Sequence, residues 1–71
     1  MSGNLRRVAA HDVIVNGKIY HQAVVEIIDG SVTDYYTFTE EQPFTEWLGG
    51  EIHVVDIGDR RIALRNGEQI K

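Results

Sequence analysis

The stretch Val13–Phe38, VIVNGKIYHQAVVEIIDGSVTDYYTF, carries the strongest structural signal in the chain. Two dipeptides typical of tight turns, Asn16-Gly17 and Asp29-Gly30, separate segments rich in Val, Ile, Tyr and Thr. Asparagine, aspartate and glycine tolerate the positive φ that the central positions of a type I′ turn require. The stretch therefore predicts an antiparallel meander of three strands, the first of which ends at Val15.

The two turns also predict a register, because a two-residue loop fixes which residues lie opposite each other. The pairs expected on one face, which we assign to the core, are Ile14–Ile19, Asp12–His21, Ala10–Ala23, Val8–Val25, Ile27–Val32, Val25–Asp34, Ala23–Tyr36 and His21–Phe38. Asp34 and the Asp12–His21 pair do not suit a core. They indicate a position near a rim, or a bulge that shifts the register.

The opposite face of this meander is unusually apolar for an outer face. It presents Val13, Val15, Tyr20, Val24, Ile28 and Tyr35. Soluble monomers seldom leave such a patch bare. We expect either the rest of the chain or a second copy of it to cover this face.

Downstream of the meander the pattern changes. Phe44, Trp47 and Leu48 follow an i, i+3, i+4 spacing, which predicts one short helix near residues 40–48. The helix would begin either with Thr39 as cap or at Pro43. The spacing favours core packing of the three apolar side chains, and the alternative is an aromatic anchor for a partner.

The last third of the chain returns to strand character. Glu51–Ile57 and Arg60–Arg65 flank Gly58-Asp59 and predict a hairpin, and a last strand over Glu68–Lys71 would be very short or frayed. The chain is predicted to be one mainly β domain over residues 1–71, with a disordered tail at 1–4. Its expected architecture is an antiparallel meander of five or six short strands, as a small curled sheet or compact sandwich, with the one helix.

Composition restricts the function further. The chain has 71 residues, a formal net charge of −4 and no cysteine. The acidic balance without a basic block argues against a nucleic-acid partner, and no segment approaches the ~20 apolar residues of a membrane helix. We expect a cytoplasmic protein that does not act on membranes.

The strand–Asn-Gly–strand–acidic-Gly–strand order over Val13–Val32 resembles the small β-subdomain of amidohydrolases, and the chain as a whole is similar to short bacterial β-proteins. In amidohydrolases the metal is held on an adjoining barrel that begins with a His-x-His pair. This sequence has no His-x-His and no room for a barrel of ~200 residues or more. The resemblance therefore implies a fold and no activity.

The titratable residues predict no catalytic, cofactor or metal site. His11, His21 and His53 are the only imidazoles, and the register places the first two on opposite faces, where they cannot share a metal ion. Asp12 opposite His21 is interpreted as a cross-strand polar contact. Ser31 lacks the G-x-S-x-G surroundings of a nucleophile elbow.

These observations predict a non-enzymatic domain that acts as a homodimer and binds another protein. The residues expected at an interface are Val13, Val15, Tyr20, Val24, Ile28, Tyr35, Phe44 and Trp47. The alternatives are a stand-alone relative of the amidohydrolase subdomain, which would bind a small ligand or a separate catalytic chain, and a metal- or histidine-dependent enzyme.

Overall fold

The computed structural model describes residues 4–40 and 42–71 and consists of strands and turns. The strands are β1 (Leu5–Val15), β2 (Lys18–Ile28), β3 (Ser31–Thr37), β4 (Glu46–Trp47), β5 (Glu51–Ile57), β6 (Arg60–Arg65) and β7 (Glu68–Ile70). The mainly β prediction is confirmed. The predicted disordered tail falls, for residues 1–3, outside the described residues.

The strands form one open mixed sheet in the order β3-β2-β1-β5-β6-β7, with β4 beside β1. β1 pairs with β2 in antiparallel orientation, but with β4 and β5 in parallel. The prediction of an entirely antiparallel meander is therefore wrong at the centre of the sheet. β3 also contacts β6, so the sheet curls and its two halves approach each other.

The first hairpin has the predicted register. Ile14 lies opposite Ile19, and Val8 lies opposite Val25 at its other end. Asn16 and Gly17 form the turn with φ of 52° and 80°, as a type I′ loop requires. Local turn chemistry therefore sets the alignment of two strands of 11 residues each.

The core face of this hairpin changes sides half-way along, which the sequence analysis did not predict. The core cluster contains Val8 and Ala10 from one half of β1 but Val13 and Val15 from the other. On β2, Ala23 is buried in the same cluster and Tyr20 packs against it. In a regular strand, side chains that face the same way are two residues apart. Here Ala10 and Val13 on β1 are three residues apart, and so are Tyr20 and Ala23 on β2. Both strands therefore kink together around His11 and Gln22.

Gln22 has a φ of 54°, which fits this kink. Because both strands change face together, Asp12 still pairs with His21. That pair lies on the outer face, so the misfit noted in the sequence disappears. The expectation that Val13 and Val15 face outward is wrong, since they are 0% and 4% exposed within the single chain.

The second hairpin begins in the predicted register and then shifts by one residue. Ile27 lies opposite Val32, but Val25 lies opposite Tyr35 rather than Asp34. The extra residue in β3 exchanges the faces of the two tyrosines. Tyr35 packs against the core and Tyr36 does not, which reverses the predicted orientations.

The predicted helix near residues 40–48 is absent from the described part of this segment. Pro43 and Phe44 form a turn, and Phe44, Gly49 and Gly50 all have positive φ, which interrupts a helical backbone. The segment instead bonds to the edge of β1, where the Leu48 N–H donates to the Ala9 carbonyl at 2.8 Å. An isolated helix this short is marginal in water, whereas the edge of β1 offers ready-made partners.

The C-terminal hairpin and the final strand are confirmed. Val55 lies opposite Ile62, and Ala63 lies opposite Ile70 in β7. Side chains of this half reach the β2–β3 turn. Gln69 Nε2 donates to the Gly30 carbonyl at 3.2 Å, and Arg60 Nε donates to Ser31 Oγ at 3.0 Å. These contacts hold the curled sheet together.

Two glycine substitutions distinguish the effect of turn geometry on stability from the effect of the contact between Gln69 and Gly30. Gly17→Ala and Gly30→Ala both force a Cβ onto φ near +80°, at a cost of roughly 1–2 kcal/mol. A Cβ at Gly30 also lies 3.3 Å from Gln69 Nε2, while nothing lies within 4 Å at Gly17. In urea unfolding we expect Gly30→Ala to be the more destabilising. Equal losses would contradict a structural role for the Gln69 contact.

Candidate interaction surface

Phe44 is the most solvent-exposed large apolar side chain among the described residues. It is 93% exposed and its φ is 58°, in the left-handed region that β-unbranched aromatic residues rarely adopt. It follows Pro43, at the position of a turn that is usually given to glycine or asparagine. The chain therefore holds an aromatic ring in water on a costly backbone, with no burial to offset the cost.

Phe44 lines an open cleft of about 800 Å³, which we call the basal groove. The groove lies where the start of β1, the β2–β3 turn, the Phe44 turn, the start of β6 and the end of the chain meet. Leu5, which is 49% exposed, provides a second apolar side chain. The other lining residues are Asn4, Arg6, Asp29, Gly30, Glu46, Arg60, Gln69 and Lys71.

The groove is more cationic than the chain as a whole. Arg6 Nε lies 2.7 Å from Glu46 Oε2, so this charge is balanced. Arg60 donates to two neutral acceptors, Ser31 Oγ and the Asp29 carbonyl. Within the described residues, neither Arg60 nor Lys71 has a carboxylate within 4.0 Å. Two cations therefore remain available beside two exposed apolar side chains.

Trp47 points away from this groove. It is 53% exposed and packs edge-on against the His11 ring, with centroids 4.8 Å apart. Leu48 alone of the three residues with helical spacing packs against the core cluster. The expectation that all three are core residues is wrong for Phe44 and Trp47. Phe44 lies in a turn, and the extended backbone around Trp47 sends Trp47 and Leu48 to opposite sides.

A second apolar surface runs across the outer face of the sheet. Ile19 is 53% exposed and lies opposite Ile14, which is beside His53. Opposite residues share a face, and so do residues two apart on a strand. The row, which we call the outer stripe, consists of the exposed Ile19 and the half-buried Ile14, Val55 and Leu64. Ile62, opposite Val55, is already buried within the single chain.

The structure divides the residues expected at an interface into three groups by exposure. Val13, Val15 and Val24 are buried within the single chain, and Tyr20, Ile28 and Tyr35 are half-buried. The Tyr20 and Tyr35 rings meet edge-on at 5.4 Å. Of the residues expected at an interface, only Phe44 and Trp47 are exposed to solvent. The segment that contains them is therefore the part of the predicted interface that a partner can reach.

The outer face carries two contacts between a carboxylate and an imidazole. His21 Nδ1 lies 2.7 Å from Asp12 Oδ1, but the imidazole side chain is 81% exposed, and no hydroxyl bonds to its other nitrogen in the described residues. His53 Nε2 lies 3.5 Å from Glu51 Oε1. Over residues 4–40 and 42–71, no three His, Cys, Asp or Glu side chains are grouped to hold a metal ion.

Tyr36 belongs to a hydrogen-bonded network on the same face. Its hydroxyl donates to Glu26 Oε2 at 2.9 Å, and Arg7 Nε donates to the same oxygen at 3.0 Å. Burial first, and then the hydrogen bond and negative charge of Glu26, raise the pKa of Tyr36. The network joins β1, β2 and β3, and we assign it a structural role.

Comparison with protein-family models, curated proteins and solved structures finds no match to the chain. The resemblance of Val13–Val32 to the amidohydrolase subdomain therefore stays a prediction. In the part of the chain that the structure describes, no helix is long and apolar enough to cross a membrane.

Sequence analysis did not identify Leu5, Arg6, Arg60 and Lys71 as groove residues. They come from the start of β1, the start of β6 and the end of the chain, which meet only because the sheet curls. No local spacing signals such a meeting. A weak signal did exist in Pro43-Phe44, a turn-forming dipeptide with an aromatic residue where a turn commonly places glycine.

Substitutions of Phe44 test whether its conformation is strained. Phe44→Gly releases the backbone from the left-handed region and removes almost no buried surface, so the free energy of unfolding should rise by roughly 0.5–1 kcal/mol. Phe44→Ala keeps the Cβ and should stay within about 0.5 kcal/mol of the parent. Urea unfolding measures both. A loss of stability in Phe44→Gly would show that the ring contributes to the fold.

The Tyr36 network predicts a pH dependence. The raised pKa means that its stabilisation is fully present below the ordinary value of 10.0 and is lost as the pH rises through the folded-state pKa. Ultraviolet titration, with Tyr36→Phe as the reference, measures that pKa. Glu26→Gln should lower it without restoring the ordinary value, because burial remains. An unchanged pKa in Glu26→Gln would exclude Glu26 as a cause.

Proposed function

We propose that this protein is a non-enzymatic interaction module that binds a segment of another protein in the basal groove. The observation that carries the proposal is Phe44, held 93% exposed at a φ of 58° beside an open cleft. Backbone strain of this kind persists where the surrounding structure enforces it, and it concentrates at functional sites. Exposed aromatic side chains beside a cleft are typical anchors for a partner.

Binding accounts for the site better than catalysis does. The titratable side chains of the groove are an arginine–carboxylate pair, two further cations and Asp29, with no imidazole or thiol among them. The two acid–imidazole pairs found among the described residues, Asp12–His21 and Glu51–His53, lie on the outer face, and both imidazoles are exposed. General acid–base chemistry needs a positioned group within hydrogen-bond reach of a substrate in a cleft, and the groove residues offer recognition instead.

We further propose that the module is a homodimer that pairs through the outer stripe. A two-fold interface brings the same patch of both copies together, so it must be self-complementary, and a row of aliphatic side chains satisfies this condition. A standard interface takes about 800 Å² from each partner, about a sixth of the 4784 Å² surface of this chain. One sheet face can supply that area, and its burial would enlarge a small core.

Affinity capture from the native source tests the interaction proposal. Parent protein, Phe44→Ser and Ile57→Ser serve as parallel baits; Ile57 is 58% exposed and lies outside the groove. We expect a partner that is retained by the parent and Ile57→Ser but at least tenfold depleted on Phe44→Ser. The same partner should bind directly after purification. Equal capture by all three baits would refute a role for the groove, and capture of a barrel enzyme lacking a β-subdomain would favour the amidohydrolase alternative.

Sedimentation equilibrium at micromolar concentration tests the dimer. The parent should sediment as a dimer, and Ile19→Glu should dissociate it, because a charge in an apolar interface loses its hydration. Leu5→Glu, at a similarly exposed position outside the outer stripe, should leave the mass unchanged. A strictly monomeric parent would remove the dimer claim without affecting the groove.

A further inference from the structure

We propose that the occupant of the basal groove is an extended acidic peptide segment with an aliphatic or aromatic anchor. This inference rests on the proposed function and specifies its partner. The anchor side chain would pack between Leu5 and Phe44, and flanking carboxylates would pair with Arg60 and Lys71. The three features that identify this class of partner are the charge of the groove, its apolar side chains and its neighbouring strand edges.

The charge of the groove favours an anionic partner. Of seven Lys and Arg in a chain of net charge −4, three line this groove. Arg6 is paired with Glu46, which leaves Arg60 and Lys71 against Asp29. Arg60 is held in place by its bonds to Ser31 Oγ and the Asp29 carbonyl, at 3.0 and 3.4 Å. A pre-oriented guanidinium suits a carboxylate, which accepts charge-assisted hydrogen bonds from it.

The apolar side chains favour a peptide over a nucleic acid. Leu5 and Phe44 lie at the groove with 49% and 93% of their surfaces exposed, which suits a hydrophobic side chain flanked by charge. A phosphate backbone needs a denser cationic surface than two free cations provide. The overall negative charge of this chain would also repel a polyanion. A short peptide with a few carboxylates is affected mainly by the cations nearest to it in the groove, which attract it.

Strand edges beside the groove favour an extended conformation. Among residues 4–40 and 42–71, residues 5–7 of β1 pair with β2 only, because β4 joins β1 from Val8 onward. In the same part of the chain, β7 pairs with β6 only. Both segments contribute lining residues, so a peptide in the groove meets strands whose second edges are open. Peptides commonly add to such edges, with main-chain bonds giving affinity and side-chain pockets giving specificity.

Titration with three blocked hexapeptides tests the proposal by amide chemical-shift changes. The first alternates glutamate and leucine, the second lysine and leucine, and the third glutamate and serine. The glutamate–leucine peptide should bind most tightly, with shifts at Leu5–Arg7, Phe44 and Glu68–Ile70. Raising the salt concentration should weaken its binding, because solvent-exposed ion pairs are screened.

Variants of the full chain locate the charges. Lys71→Gln should weaken binding of the glutamate–leucine peptide about two- to fivefold, as should Arg60→Gln. Lys18→Gln makes the same charge change at the opposite end of the β1–β2 hairpin and should have no effect. Unfolding in urea confirms that each variant folds.

The outcomes separate the partner class from the proposed function. Equal or tighter binding of the lysine–leucine peptide at the same residues would overturn the acidic preference and keep the groove as an interaction site. Binding of the glutamate–serine peptide equal to that of the glutamate–leucine peptide would overturn the apolar anchor. Failure of all three peptides to bind, while a captured partner still depends on Phe44, would overturn this inference and leave the interaction module intact.

Discussion

β1 is hydrogen-bonded along both edges, and the rest of the fold depends on this central position. Its antiparallel edge is filled by β2 through the Asn16-Gly17 turn. Its other edge is shared by β4 and then β5, both parallel to it, with Leu48–Gly50 between them. The Asp12 N–H donates to the Gly50 carbonyl at 3.1 Å, which bridges the two pairings. One strand therefore connects the N-terminal meander to the C-terminal hairpin.

The kink near His11 follows from this change of neighbour. β1 leaves β4 at Ala9 and joins β5 at Asp12, and the core face changes sides between the two. With Gln22 at a φ of 54°, β2 follows β1 through the kink and keeps its register. Both halves of the hairpin can then bury apolar side chains in one continuous cluster. On β1, the even-numbered Val8 and Ala10 face the core before the kink, and the odd-numbered Val13 and Val15 face it after the kink.

Turn chemistry could be predicted from the sequence because it is local. Asn16-Gly17 and Asp29-Gly30 fix the residues beside them, and Val55–Ile62 follows from Gly58-Asp59 in the same way. The face change and the bulge in β3 depend on contacts between distant strands, which a strict alternation of two cannot include. The segment around Trp47 became a strand because the edge of β1 was vacant, a tertiary effect that overrides spacing. The groove could not be predicted from the sequence either, because the residues that line it come from distant segments that meet only after folding.

The backbone conformations distinguish Phe44 from the other strained positions. Five non-glycine residues among those described have positive φ: Asn16, Gln22, Asp29, Phe44 and Asn66. Three are asparagine or aspartate followed by glycine in two-residue turns, where this conformation is expected. Gln22 takes part in the kink that unites the core. Among the described residues with positive φ, Phe44 is the one whose conformation is accounted for neither by a two-residue turn nor by the kink, and its side chain is 93% exposed.

The groove is also part of what holds the sheet curled. Arg60 and Gln69 bond to the β2–β3 turn and line the groove, so its walls come from both halves of the sheet. A partner seated there contacts both halves at once and favours the closed arrangement over any in which they separate. Binding and folding are then linked, because a ligand that recognises only the folded form stabilises it. For a chain with so small a core, a partner bound as proposed would therefore also add to the stability of the fold.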